Sequence, residues 1–485
     1  MRNYDTQPEN PEERGFFGGE FMSKEVALLP NIRDRLDDAL KAGKTADEVE
    51  IRIEESETTH IGFQKESLET LDKGLSAGGS VRALLNGSWG FVSFNSLDNL
   101  PRRVEEAIAM AKAVGQGNAK LGGQDAHIES VPIDLKRDPR DVSIGETIDM
   151  MRNYNDIILK TDGIVSTSGH YVHFHYRRAF ANKTGSFVES EKMRATVILM
   201  GVAVDSDRMP QETRDFANTL YDYDHLVGRE SLAHDIARKA LETAKSPKVK
   251  AGVYPVICGP QMTGTFIHEA FGHLSEADFV HENPDWKEIL KIGRKMGREF
   301  LNITDGGLVP GQGGSLKYDD EGTPCTITYL VKDGILNGRL HSRETAAMMN
   351  EMPTGNARAQ NYRFPPIVRM TNTSIEPGPN TLEEMLADIK YGIYAVKPHG
   401  GQTSFEQFTF GAGEAFEIVD GKIGQRLRNV SISGNLFKTL ENIDMIANDR
   451  EWESVGYCGK GEQMAPVGTG GPHIRIMDCV VGGES

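Results

Sequence analysis

SVRALLNGSWGFVSFNS, residues 80–96, sets two β-prone runs on either side of Asn86-Gly87, the strongest short-range signal for a tight antiparallel hairpin. Upstream of it, EVEIRIEES (48–56) alternates Val49, Ile51 and Ile53 with charged residues, which predicts a half-buried strand. Directly after it, LPRRVEEAIAMAKAV has helical character. The same grammar recurs downstream. A helix is predicted over 144–159, and then GHYVHFHYRRAFANKTGSFVESEKMRATVILMGVAVDSD reads as strands turning at Lys183-Thr184-Gly185. The helix ESLAHDIARKALETAK follows. From the strand VYPVICG onward, short β segments are split by DDEGTP, DGILNG, EPGPN and VDGKIG. Helices and antiparallel strands are segregated rather than alternating as βαβ, so the fold class is α+β. A helix-and-hairpin N-terminal region precedes a large, mostly antiparallel β-rich C-terminal domain.

The expected organisation is a mobile extension over 1–21, an α+β unit over 22–114, a Gly-rich linker over 115–130, a second α+β unit over 131–249 and the β-rich domain over 250–485. The extension is polar, lacks the basic start and apolar middle of a signal peptide, and is followed by Met22. No apolar run approaches the roughly 20 residues of a membrane-spanning helix. The net charge of −17 argues against nucleic acid or an anionic membrane as partner. Four scattered cysteines without C-x-x-C spacing read as free thiols in a cytoplasmic protein.

Chemistry concentrates in TFIHEAFGHLSEADFVHENP, residues 265–284. His268 and His273 bracket Glu269 as H-E-x-x-x-H, one residue longer than the familiar zinc-peptidase motif. Five residues along a regular helix place the rings about 140° apart. A π-bulge would bring them onto one face, and Gly272 is the kind of residue that tolerates such a distortion. A catalytic zinc needs a third protein ligand and an open position. The best candidate is Cys458 in GYCGKGEQMAPVGTGG, expected in an accessible turn with Lys460 favouring its thiolate. Cys258, Cys325 and Cys479 read as small buried hydrophobes.

Other features carry less. His170, His173 and His175 fall on a strand without a metal-ligating neighbour. GGLVPGQGGS, from Gly306, lacks a phosphate-cradle frame. WKEILKIGRKMGREF is expected as a solvated helix with Ile289, Ile292 and Met296 inward. A free sheet edge, if present, could take an extended peptide by strand addition.

Several blocks in order resemble the TldD/PmbA family, in its TldD-type branch. These are GLSAGGSVRALLNGSWGF (74–91), HEAFGH followed by EAD, KYDDEGTP (317–324), MPTGNARAQNYRFPPIVRMTNTSIEPG (352–378) and the closing YCGKGEQMAPVGTGGPHIRIMDCVVGGES. The resemblance spans nearly all of 48–485, and Phe271 and Leu274 vary positions beside the motif. It implies a zinc metallopeptidase acting on unstructured peptides or unfolded proteins held extended inside a dimer, formed with itself or with a metal-free PmbA-type paralogue. It also implies His268, His273 and Cys458 as zinc ligands and Glu269 as general base. The alternative is a non-catalytic peptide-binding or scaffolding subunit of such a dimer.

Overall fold

The computed structural model describes residues 31–483, so the expected extension over 1–21 lies outside the described residues. The hairpin forms as read: β2 (Ser67–Leu85) returns as β3 (Ser88–Phe94), pairing Leu85 with Ser88 across Asn86 and Gly87. Both turn residues sit at positive φ, 51° and 74°, as a type I′ turn requires. At Gly90 the strand presses against helix α2 (Leu100–Val114), and a Cβ there would lie 1.9 Å from the Ala107 carbonyl oxygen.

The hairpin is one edge of a seven-stranded sheet. Its other members are β1 (Glu48–Gln64), β4 (Ile128–Val131), β5 (Ile164–Asn182), β6 (Phe187–Val204) and β7 (Pro210–Thr219). The order is β3-β2-β1-β5-β6-β4, with β7 also on β6. The antiparallel β1–β5 ladder means that the stretches set out above as 22–114 and 131–249 contribute to one sheet. The Gly-rich segment between them is strapped down rather than loose: Gly117 N–H donates to Asn86 O and Ala119 N–H to Gly87 O.

Odd-numbered positions of β1 face helices. Val49, Ile51 and Ile53 pack with α1 (Ile32–Leu40) and α2; Ile61 and Phe63 pack with α3 (Ile144–Leu159) and α4 (Glu230–Lys245). The even-numbered face was expected to meet solvent. Instead Glu48, Glu50, Arg52 and Glu54 are all buried, because the C-terminal half covers them. Arg343 donates to Glu50 (3.0 Å) and Glu48 (3.2 Å), and Arg82 joins Glu50 (2.6 Å) to Glu321 (2.7 Å). Arg178 likewise ties Glu54 (2.6 Å) to Asp320 (3.2 Å).

The C-terminal half contributes β8 (Gly252–Cys258), β9 (Ile303–Gly306), β10 (Ile327–Lys332), β11 (Ile335–Leu336), and a small β12 (Ala357–Arg358) with β13 (Ile367–Val368). After β14 (Asn372–Ile375) come β15 (Tyr391–Ser404), β16 (Gln407–Val419), β17 (Lys422–Leu427), β18 (Val430–Asn435) and β19 (Ile443–Ile446). The last three are β20 (Glu451–Lys460), β21 (Gln463–Gly471) and β22 (Ile474–Gly482). One sheet runs β11-β10-β9-β14-β21-β20, leaving β20 at an edge. The other runs β15-β8-β22-β18-β16-β17 and closes on itself through β15–β16. Most pairs are antiparallel, as expected; β4–β6, β8–β15 and β14–β21 are parallel. Between the two sheets lies helix α5 (Pro260–Ile267), whose Met262, Phe266 and Ile267 join a core with Phe408, Phe410 and Val467.

Two readings need correction here. The stretch from Trp286 is helical only to Ile289, the end of α7 (Pro284–Ile289), which follows the short α6 (Ala277–Glu282). Gly293 then turns the chain at φ 90°, and Ile292 is 43% exposed rather than inward. Among the described residues, no helix is long and apolar enough to cross a membrane.

Removing one partner from a buried ion network strands the others in low dielectric. Arg343→Ala is expected to cost about 3–5 kcal/mol, read as a lowered midpoint of urea denaturation. An unchanged midpoint would show that Glu48 and Glu50 find water instead.

Candidate metal centre

Helix α5 opens with Pro260 at its first position, where a missing N–H costs nothing. It is regular to Ile267, and then one turn widens: His268–Gly272 is π-helical, followed by a 3₁₀ turn over His273–Ser275. The five-residue turn places residue i beside i+5, so the His268 and His273 rings meet edge to face with centroids 5.6 Å apart and planes 77° apart. Gly272 is needed for a different reason from backbone freedom. Its φ of −56° and ψ of −48° suit any residue, but a Cβ would sit 2.1 Å from the Met370 sulfur. The widened turn is pressed against Met370, whose side chain would have to move to admit a Cβ.

Cys458 reaches this turn from β20, in a strand rather than the accessible turn expected of it. The reversal comes later, at Glu462, whose φ is 60°, and Gly461. The buried Cys458 Sγ lies 3.1 Å from His273 Nε2. One ligand atom each from His268, His273 and Cys458 falls within 4.8 Å of the other two. His268 Nδ1 is buried without a hydrogen-bond partner among the described residues. Two imidazoles and a thiolate at this spacing form a donor set that suits a borderline-soft divalent ion and leaves a position open.

The electrostatics single out this thiol. Burial raises the Cys458 pKa, but hydrogen bonds from His268 and His273 outweigh it and bring it down to about 6. Burial drives the Cys258 and Cys325 thiols far above the ordinary range and pushes Cys479 up to about 12. All four cysteines are free and buried. Only Cys458 is poised as a thiolate near neutral pH.

Behind the ligands stand Glu276 and Asp278, missed as site residues in the sequence, and Lys460, whose role differs from the one expected. Glu276 Oε2 lies 3.0 Å from His273 Nδ1, fixing the ring that carries Nε2 toward Cys458. Lys460 Nζ lies 3.0 Å from that carboxylate, 2.7 Å from Asp278 Oδ1 and 2.9 Å from Val368 O. Lys460 therefore neutralises Glu276 and Asp278 instead of acting directly on the thiol. Two signals were available. An acid three residues after a histidine shares its helical face, and Lys460, two residues after Cys458, shares its strand face. Glu269, in the same π-turn as His268, is half-buried. The three strand histidines do not assemble a site: His175 bonds Glu191 (2.7 Å), His170 pairs with His60 (3.2 Å), and His173 is buried.

Three comparisons bear on this arrangement. Residues 49–111, 137–246 and 251–483 match the PmbA/TldA metallopeptidase domain 1, central domain and C-terminal domain, respectively. A metalloprotease of Synechocystis is 42% identical over 91% of this chain and 96% of its own. A zinc metalloprotease of Saccharolobus solfataricus, described as a TldD homolog, is 30% identical over 86% of this chain and 93% of its own. The crystal structure of TldE from Thermococcus kodakarensis has the same fold at a TM-score of 0.71, with 18% identity over 93% of this chain and 100% of that one.

In metal-free protein, burial opposes a charged His273, but the bonds to Cys458 and Glu276 raise it to about 10. The thiolate's stabilising contribution is present above the ordinary thiol value and is lost as pH falls through about 6. The imidazolium's contribution is present below the ordinary histidine value and is lost as pH rises through about 10. Ultraviolet thiolate absorbance of the metal-free protein is expected to titrate near pH 6, and a midpoint near that of a free thiol would contradict the pairing. Glu276→Gln is expected to weaken metal binding about 10–100-fold, measured by competition with a chromogenic chelator.

Proposed function

We propose that this chain, which belongs to the PmbA/TldD metallopeptidase family, is a zinc-dependent peptidase that cleaves unstructured peptides held in extended form. The observation that carries the reading is the convergence of His268, His273 and Cys458 around one point, with Glu269 in the same widened turn. In this reading the three converging residues hold zinc, and the metal named for the S. solfataricus relative supports that choice. Bound there, zinc supplies the positive charge that polarises a peptide carbonyl and acidifies water.

The protein's own part is proton handling and orientation. Glu269 takes a proton from the attacking water and delivers it to the leaving amine nitrogen, so one carboxylate serves as base and then as acid. Its partial exposure leaves room for that water. Glu276 keeps His273 in the orientation in which Nε2 faces the site, and Lys460 keeps Glu276 ionised despite burial. The edge strand β20, which carries Cys458, offers unpaired backbone groups along which an extended peptide can lie. The active assembly is a cytoplasmic dimer, either of two copies or with a metal-free PmbA-type paralogue, and the shared fold with TldE supports such a pairing.

Glu269→Gln is expected to keep its zinc, by metal analysis, and to lose about 10²–10⁴-fold in cleavage of a disordered peptide followed by mass spectrometry. Unchanged cleavage would remove Glu269 as general base. Cys458→Ala is expected to lose most of its zinc; equal stoichiometry would point to another third ligand. A wild-type protein that holds zinc and binds but never cuts such peptides would favour the scaffolding alternative.

A further inference from the structure

The stretches KYDDEGTP and MPTGNARAQNYRF supply none of the proposed metal ligands, yet both line one cavity. It has a volume of about 430 Å³ and opens between the buried-charge face of β1, β5 and β6 and the C-terminal half. That size falls within the roughly 300–1,000 Å³ of small-ligand pockets.

Its charges are of two kinds. Arg178 is answered by Glu54 and Asp320. Lys192 and Arg194 of β6 and Arg358 of β12 have no ion pair among the described residues. Lys192 Nζ donates to Ser315 O, and Arg358 donates to Met370 O and Pro466 O, both at 2.6 Å. Arg194 donates to the Tyr457 hydroxyl and lies over that ring, 4.3 Å from its centroid. Burial first, and then the Arg358 charge, press Lys192 down to about 7; burial also lowers Arg194 to about 10. None of the three is paired with the carboxylates that also line the cavity: Glu54 and Asp320 are taken by Arg178, Glu191 by His175 and Arg177, and Asp319 by backbone N–H groups, with Asp134 at the rim. A buried charge is costly until an opposite charge meets it.

The cavity also stands in a fixed relation to the metal centre. Tyr457 and Cys458 are neighbours on β20, and successive strand side chains point to opposite faces. Cys458 turns toward His268 and His273, whereas Tyr457 lines the cavity. A peptide added along this edge alternates in the same way, and its residues on the Tyr457 side point toward the three cations.

We propose that this cavity is a carboxylate-recognition subsite, in which Lys192, Arg194 and Arg358 receive an acidic side chain or the free C-terminal carboxylate of the peptide substrate. Arg194, held over the Tyr457 ring, presents a fixed donor edge of the kind suited to a planar carboxylate. The inference rests on the peptidase reading and specifies the peptides it favours.

The test uses zinc-loaded Glu269→Gln protein and calorimetric titration with three peptides of one unstructured sequence: a free acid, its C-terminal amide, and the amide with one internal Gln replaced by Glu. At least one acidic form is expected to bind about tenfold or more tightly than the neutral amide, and which one does so identifies the source of the carboxylate. Lys192→Met and Arg194→Gln are each expected to erase that preference while leaving amide affinity unchanged. Circular dichroism checks that both variants fold. Independently of any cavity variant, the favoured acid and not the neutral amide is expected to raise the melting temperature of the zinc-loaded protein. Equal affinity for all three peptides, or a preference that survives both substitutions, overturns the proposal. Cleavage by wild type is scored separately. Cutting without acid preference sinks the subsite and spares the peptidase reading, whereas acid preference without cutting does the reverse.

Discussion

One extra residue in one helical turn is the constraint on which the site depends. A regular α5 would send His268 and His273 to different sides of the helix. Widening at 268–272 brings them together edge to face, and the bare Cα of Gly272 lets the widened turn settle against Met370. Once the rings are aligned, the other components have only one place to go. Glu276, in the next turn, meets the outer nitrogen of His273, and β20 delivers Cys458 to the inner one. Lys460 on the same strand closes the arrangement by neutralising the acids behind it. A helix and an edge strand distant in sequence are thereby locked to one another through polar contacts as well as through the shared core.

Much of this was legible before any coordinates. Asn86-Gly87 dictated its hairpin, and the helices at 100–114, 144–159 and 230–245 begin and end where their apolar periodicity does. The H-E-x-x-x-H spacing called for a π-turn because no other helical geometry lets those rings meet. What stayed hidden were partnerships between residues far apart in sequence. The charges of β1 alternate as they would on a solvated face, and only the distant Arg343 reveals that they are covered. Cys458 lies among glycines that suggest a turn, but pairing with β21 draws it into a strand. Lys460 sits near enough in sequence to act on the thiol, and only the folded chain shows Glu276 and Asp278 claiming it. The stretch after Trp286 keeps helical periodicity past Ile289, where Gly293 reverses the chain.

Buried charge is handled in two contrasting ways on the same face of the N-terminal sheet. Toward β1 and β2 the guanidinium groups of Arg82, Arg178 and Arg343 meet the carboxylates of Glu48, Glu50, Glu54, Asp320 and Glu321 at hydrogen-bonding distance, so every one of these cations is answered within the protein. Toward β6 the hydrogen bonds of Lys192, Arg194 and Arg358 go to carbonyls and a hydroxyl, and these cations form no ion pair among the described residues. Burial penalises charge in both places. A cation bonded to a carboxylate is answered inside the fold, whereas one bonded only to neutral groups can still accept an anion.

The ionic seam also governs what can be cut from this molecule. Arg343 and Glu321 belong to the C-terminal half, while Glu48, Glu50 and Arg82 belong to the first strands. A fragment beginning near residue 250 would inherit orphaned charges over a surface shaped to be dry. The halves are therefore not interchangeable cassettes: swapping either for a counterpart from another protein means transplanting both faces of the seam together.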